Sequence, residues 1–175
     1  MRSQESEARS PHGVIVSRYL LLLITTAVIL ILDQASKLYV ASHFRLHESI
    51  TVVENFFHLT YLRNQGAAFG FLAENGIRVP FFISVAVLAA IGILWYLGRL
   101  RADQHQLQFA LSLIFAGAMG NLIDRIRLGA VIDFLDFHWY QHHWPAFNVA
   151  DSAITVGVAL LLIDLWIEES RKKRG

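Results

Sequence analysis

Hydrophobic positions along this chain gather into four long blocks: Tyr19 to Val40, Val79 to Leu97, Gln108 to Ile123, and Ala153 to Ile167 with an upstream extension toward Asn148. A helix needs about 20 predominantly apolar residues to cross a bilayer, so each block reads as a transmembrane helix. The second is the cleanest. The first, third and fourth carry Asp or Asn near one end, which a hydropathy scale counts against them. The first block ends in Asp33, Gln34, Ala35, Ser36 and Lys37 with no small-residue cleavage site behind it, so it is expected to remain as a helix. Between the first two blocks, SITVVENFFHLTYLRN is rich in β-branched and aromatic residues and leads into the Gly-rich QGAAFGF. That pattern predicts a small β-ribbon on the membrane surface, and Gly66 and Gly70 are its candidate hinges. The expected fold class is an all-α membrane protein, a bundle of four transmembrane helices without internal repeats.

Composition agrees with this pattern. Of 175 residues, 55% are hydrophobic and 17% charged, and the mean hydropathy is +0.45, against about 25% charged in a soluble domain. Four spans leave no room for a separate soluble domain. The expected division is an N-terminal tail over 1–17, one membrane domain over 18–168 and a basic C-terminal tail over 169–175. The net charge of +1 and the lack of a basic face make nucleic acid an unsuitable partner. With no cysteine, disulfides, thiol nucleophiles and thiolate metal sites are excluded.

Charge placement sets the orientation. Arg2, Arg9 and Arg18 precede the first span, Arg99 and Arg101 lie between the second and third, and Arg171, Lys172, Lys173 and Arg174 follow the fourth. By the positive-inside rule both termini are cytoplasmic, and the connections over 41–78 and 126–147 face outward. The outer end of the first span then carries Asp33 and Lys37, the third ends in GNLIDR (Gly120 to Arg125), and the fourth begins with FNVAD (Phe147 to Asp151). Asn64 and Asp133 lie in the outer loops. Gly117, Asn121 and Asp124 recur at i, i+4 and i+7, and Asn148, Asp151, Ser152 and Thr155 share one helix face. Sequence segments far apart thus bring polar groups to one side of the membrane, where ionisable residues in a span by default indicate function.

Each feature also has a plainer reading. Asp33 with Lys37 at i, i+4 reads equally as an interfacial salt bridge, as does Asp124 with a nearby base. Asn148 with Asp151 three residues on reads as a helix cap, and Asp133 alone is an ordinary loop aspartate. Their convergence favours a site. His138, His142 and His143 match no known ligand spacing, so no metal is expected. Trp139 and Trp144 beside them suit an interfacial aromatic belt.

Five motifs occur in order: DQxxK at Asp33 to Lys37, NxGAAFG at Asn64 to Gly70, GNxxDR at Gly120 to Arg125, VxDF at Val131 to Phe134, and FNxAD at Phe147 to Asp151. Together they resemble the lipoprotein signal peptidase (signal peptidase II) family over about residues 19–167. The resemblance implies a small extracytoplasmic β-cradle beside the four helices and a catalytic pair, Asp133 and Asp151. It gives supporting or substrate-binding roles to Asp33, Lys37, Asn64, Gly117, Asn121, Asp124, Arg125 and Asn148. It further implies an aspartic endopeptidase of the bacterial inner membrane, monomeric and cofactor-free, acting on lipid-modified prolipoproteins among membrane lipids. Two facing carboxylates in a low-dielectric site share a proton, one becoming base and the other acid. The rival readings are a small transporter or proton channel, which would need polar stations deeper in the spans, and a Mg²⁺-dependent hydrolase, which a chelator would stop.

Overall fold

A computed structural model describes residues 11–66 and 77–173. Four helices are long and apolar enough to span a membrane: α1 (Pro11–His43), α2 (Arg78–Arg99), α3 (His105–Leu128) and α4 (Val149–Lys172). Helices are the natural form for such segments, because each satisfies its own backbone polar groups where no water can. All four expected spans are present, with ends that move. α1 starts at Pro11, inside the expected N-terminal tail, with a proline where its missing N–H costs nothing. α4 runs through most of the expected C-terminal tail, supported by i, i+4 pairs of Lys172 with Glu168 (3.3 Å) and Lys173 with Glu169 (2.6 Å). Apolar content stops before the helices do, because polar residues continue a helix once it leaves the hydrocarbon.

α3 is the central helix and packs against each of the other three. Glycines set its approach to α4. A Cβ at Gly117 would collide with the Ala150 carbonyl oxygen and lie 2.7 Å from Ile154 Cγ1, and one at Gly157 would lie 2.7 Å from the Ala110 carbonyl oxygen. Small residues at such positions let helix backbones touch where no hydrophobic effect drives association. The large apolar side chains that remain, including Leu23, Leu88, Trp95, Leu162 and Trp166, are exposed on the outside of the bundle, where lipid would cover them. At one end, Arg18 of α1 donates to the Leu97 and Gly98 carbonyls (3.1 and 2.9 Å), satisfying the C-terminus of α2.

The opposite end carries an antiparallel sheet ordered β1-β2-β3-β4: β1 (Ser49–Val53), β2 (Phe57–Asn64), β3 (Val131–Trp139) and β4 (His142–His143). The ribbon expected from residues 49–64 is β1 and β2, paired from Ser49↔Thr60 to Val53↔Phe57. The part of QGAAFGF from Ala67 on, including the hinge candidate Gly70, lies outside the described residues. What the sequence pattern did not distinguish is that the second connection, 126–147, supplies two more strands. β3 lacks clean alternation because Val131 to Phe134 are all buried, with the sheet on one side and the helix ends on the other. Val40 of α1, Tyr61, Ile132 and Phe134 form the apolar cluster that fastens sheet to bundle. α3 passes into β3 through Gly129, whose φ of +67° makes the left-handed turn.

Candidate active site

Where the sheet meets the helix ends, polar side chains pack in a closed network. Its centre is Lys37, one turn after Asp33 on α1. The Lys37 ammonium lies 2.9 Å from Asp33 Oδ2 and 2.9 Å from Asp124 Oδ2 of α3, and it donates to Asn121 Oδ1 at 3.1 Å. Asp33, Lys37 and Asp124 are 0, 1 and 2% exposed. A buried charge persists only when paired and hydrogen-bonded, and here one cation serves two carboxylates. Those carboxylates have other work as well. Asp33 Oδ1 accepts the Ala150 backbone N–H (3.0 Å), and Asp124 Oδ2 accepts the Ile132 backbone N–H (3.2 Å). The peptides held are those immediately before Asp151 and Asp133.

Asp133 and Asp151 come from β3 and from the first turn of α4. Asp133 Oδ1 accepts from Asn148 Nδ2 (2.7 Å), and its Oδ2 accepts from Asn64 Nδ2 of β2 (2.9 Å). Asp151 Oδ1 accepts from Asn121 Nδ2 (2.7 Å), and its Oδ2 accepts from the Asn148 backbone N–H (3.2 Å). Asn148 therefore touches both carboxylates. It is also the N-cap of α4, with its own Oδ1 accepting from the Asp151 N–H at 2.9 Å in a reciprocal capping box. The cap reading and the site reading of Asn148 describe the same hydrogen bonds. Burial pushes the Asp133 carboxyl up to about 6, and the charge of Asp151 adds to the rise. The hydrogen bonds from Asn64 and Asn148 and the Lys37 ammonium hold it back.

Both aspartates face a cavity of about 640 Å³, which Trp144 and Phe147 bound on one side and Ser152, Thr155 and Val156 of α4 continue along the bundle. Arg125 borders the network without an ion pair among the described residues. Its guanidinium donates to the Asn121 carbonyl (3.3 Å) and lies 5.0 Å from the Phe82 ring of α2. Gly117 carries no polar group to the site and instead admits the Ala150 carbonyl beside α3. All ten residues singled out in the sequence thus lie in or against one network.

Two further residues belong to it. Gln34 donates to Asp33 Oδ2 (3.0 Å) and Asp124 Oδ1 (3.1 Å). At Gly120 a Cβ would lie 2.6 Å from Asp33 Oδ2. Both stand inside the DQxxK and GNxxDR motifs, which was their only sequence signal. The histidines stay apart: His138 stacks on His143 with centroids 4.6 Å apart, and His143 meets Asp136 at 2.9 Å on the sheet. Among the described residues no group of His, Asp or Glu is arranged to hold a metal ion.

A solved bacterial membrane enzyme superposes with a TM-score of 0.76 at 34% identity, covering 88% of this chain and 92% of the other. A second, also a bacterial membrane enzyme, gives 0.73 at 34% identity over 82% and 91%. Fold and likeness define a multi-pass bacterial membrane enzyme. The family described as Signal peptidase (SPase) II matches residues 25–167. The lipoprotein signal peptidase of Geobacter sulfurreducens is 58% identical over 82% of this chain and 89% of its own length. That of Geobacter metallireducens is 54% identical over 89% and 96%. The chain belongs to the signal peptidase II family and is a peptidase of the aspartic type.

Proposed function

We propose that this peptidase removes the signal peptide from diacylglyceryl-modified prolipoproteins, cutting just before the lipidated cysteine with water activated between Asp133 and Asp151. The observation that carries the reading is the placement of these two carboxylates. They come from different elements, border one cavity at the sheet end of the bundle, and are each held by two amide hydrogen bonds. Two such groups in a site of low dielectric favour a single shared proton. The ionised member takes a proton from water as the oxygen attacks the scissile carbonyl, and the protonated member donates to the developing oxyanion. On collapse of the tetrahedral species the departing amine takes up a proton and the signal peptide leaves with a new carboxylate. No metal or other cofactor enters these steps.

The remaining residues act as supports. Lys37, Asp33 and Asp124 hold the peptides that precede each aspartate, Asn64, Asn121 and Asn148 orient the carboxylates, and Gly117 lets α4 reach α3. Arg125, whose charge acts on Asp151, Asp133 and Asp124, braces the network from its border. The charge distribution supports cytoplasmic termini, so the site opens at the extracytoplasmic face of the bacterial inner membrane. There water is available and an apolar signal peptide can lie along α4. One chain supplies every group named, so the proposed chemistry needs no second copy.

The test is cleavage of a lipid-modified precursor by the detergent-purified protein. Wild type should cleave equally with and without EDTA, and Asp133→Asn and Asp151→Asn should bind precursor yet cleave at least about 10³-fold more slowly, within the range that acid–base and electrostatic effects contribute together. Retained cleavage in either variant removes the paired mechanism, and loss with EDTA replaces it with a metal-dependent one.

A further inference from the structure

A second cavity, of about 370 Å³, meets the first at Asp133. Asn64, Asp133, Pro145 and Ala146 border both, but the second extends away from α4 toward His47, Leu62 and Arg63. Along this cavity β2 has a partner on one side only. β1 pairs with β2 at Thr60 and beyond toward Phe57, and the turn before β1 covers Tyr61, whose N–H donates to the Glu48 carbonyl and whose carbonyl accepts from the His47 N–H (2.9 and 2.8 Å). Backbone groups two residues apart on a strand point the same way, so the N–H and C=O of Arg63 point to the side that Tyr61 uses. Ile132, opposite Arg63 in β3, is occupied elsewhere: its N–H donates to Asp124 and its carbonyl accepts from Asn148. The Arg63 main chain therefore has no ladder partner among the described residues, and its free edge faces a cavity that opens on Asp133.

We propose that this edge is the binding site for the polypeptide that follows the scissile bond, which adds to β2 as a short extended strand paired with the Arg63 main chain. The inference rests on the proposed paired-aspartate reading and assigns the two cavities to the two sides of the cut. The cavity along Ser152, Thr155 and Val156 runs into a spanning helix and takes the apolar signal-peptide side. The cavity along β2 lies beyond the helix ends and takes the polar side that becomes the mature N-terminus. An unpaired strand edge recognises an extended chain of any sequence through backbone hydrogen bonds. The Arg63 guanidinium and His47 at the rim add a preference for acidic or carbonyl-rich residues there.

The experiment uses wild-type protein in detergent and synthetic lipid-modified precursors carrying four residues after the modified cysteine, each N-methylated at a single backbone position. The Arg63 carbonyl accepts one substrate N–H, so methylation at one position should raise KM about tenfold, the value of one hydrogen bond of about 1.4 kcal/mol, while the other positions stay within about twofold. Arg63→Pro deletes the edge N–H and leaves the β3 side intact, so it should raise KM about tenfold relative to Arg63→Ala with kcat unchanged. Equal losses at every methylated position, or none at any, overturn the proposal. Undiminished kcat/KM for a precursor truncated after the modified cysteine does so too. None of these results touches the paired-aspartate reading, which fails if the Asp133 or Asp151 variants cleave or if EDTA stops the wild type.

Discussion

Asp133 shows how one residue links stability to chemistry. Its carboxyl is pushed from 3.8 to about 6, so between about pH 4 and pH 6 the folded protein holds a proton that the unfolded chain has lost. Stability contributed by the protonated group is present at low pH and lost as pH rises through the folded value. Above it, the buried carboxylate costs up to about 3 kcal/mol, at about 1.4 kcal/mol for each factor of ten in proton affinity. Asp133→Asn should thus gain in melting temperature over wild type as the pH is raised from about 4 to about 7, and a difference that does not change with pH contradicts this. Lys37 has the opposite character, because its removal leaves Asp33 and Asp124 buried without a cation. Lys37→Met should destabilise by about 3–5 kcal/mol, and combining it with Asp33→Asn and Asp124→Asn should restore part of that loss in thermal unfolding. No recovery would mean that the ammonium does not serve to balance those two carboxylates.

At the scale of elements, the fold places Asp151 by pressing the first turn of α4 against α3. Gly117→Ala introduces a Cβ against the Ala150 carbonyl and Ile154, so α4 must move out along with Asp151. We expect a loss of about 1–3 kcal/mol from overpacking and a fall in kcat of at least tenfold in the precursor assay. Gly129 is the contrasting case, with φ +67° and open space around its missing Cβ. Gly129→Ala should cost about 1–2 kcal/mol in backbone strain and leave kcat within about twofold, since a Cβ there meets nothing within 4 Å. If the two variants lose activity equally, helix separation is not what positions Asp151.

For the whole molecule, the orientation in the membrane follows from charge and is directly measurable, because a chain with no cysteine accepts single-cysteine labelling on a silent background. A cysteine at Glu54, in the β1–β2 turn, should react with a membrane-impermeant thiol reagent in intact spheroplasts. One at Asp103, between α2 and α3, should react only after the membrane is opened. The reverse pattern would place the site on the cytoplasmic face and remove the proposed access of precursor signal peptides. The bundle itself owes little to water: its outer face is apolar and the site is a dense, buried polar region, so local packing and hydrogen bonding at that end determine its geometry.

Amino-acid order alone determined the four spans and the β1–β2 ribbon and marked ten candidate residues, because hydrophobic length, β-branched composition and motif residues are local properties. The ten residues singled out in the sequence, which the structure brings into or against one network, were legible from motifs and spacing, and Asn148 and Asp151 even declared their cap. Tertiary structure decided the rest. β3 was hidden in the second connection because a strand buried on both faces loses the alternation that marks it, and β4 because two exposed residues are too few to show a pattern. That one lysine holds two carboxylates, that each of these grips the peptide before an aspartate, and that Gln34 and Gly120 join them depend on distances between α1, α3, β3 and α4. Spacing along a chain carries no information about distances between elements, which packing sets. The edge at Arg63, without a ladder partner among the described residues, is of the same kind, since a strand has an open side only once its neighbours are known.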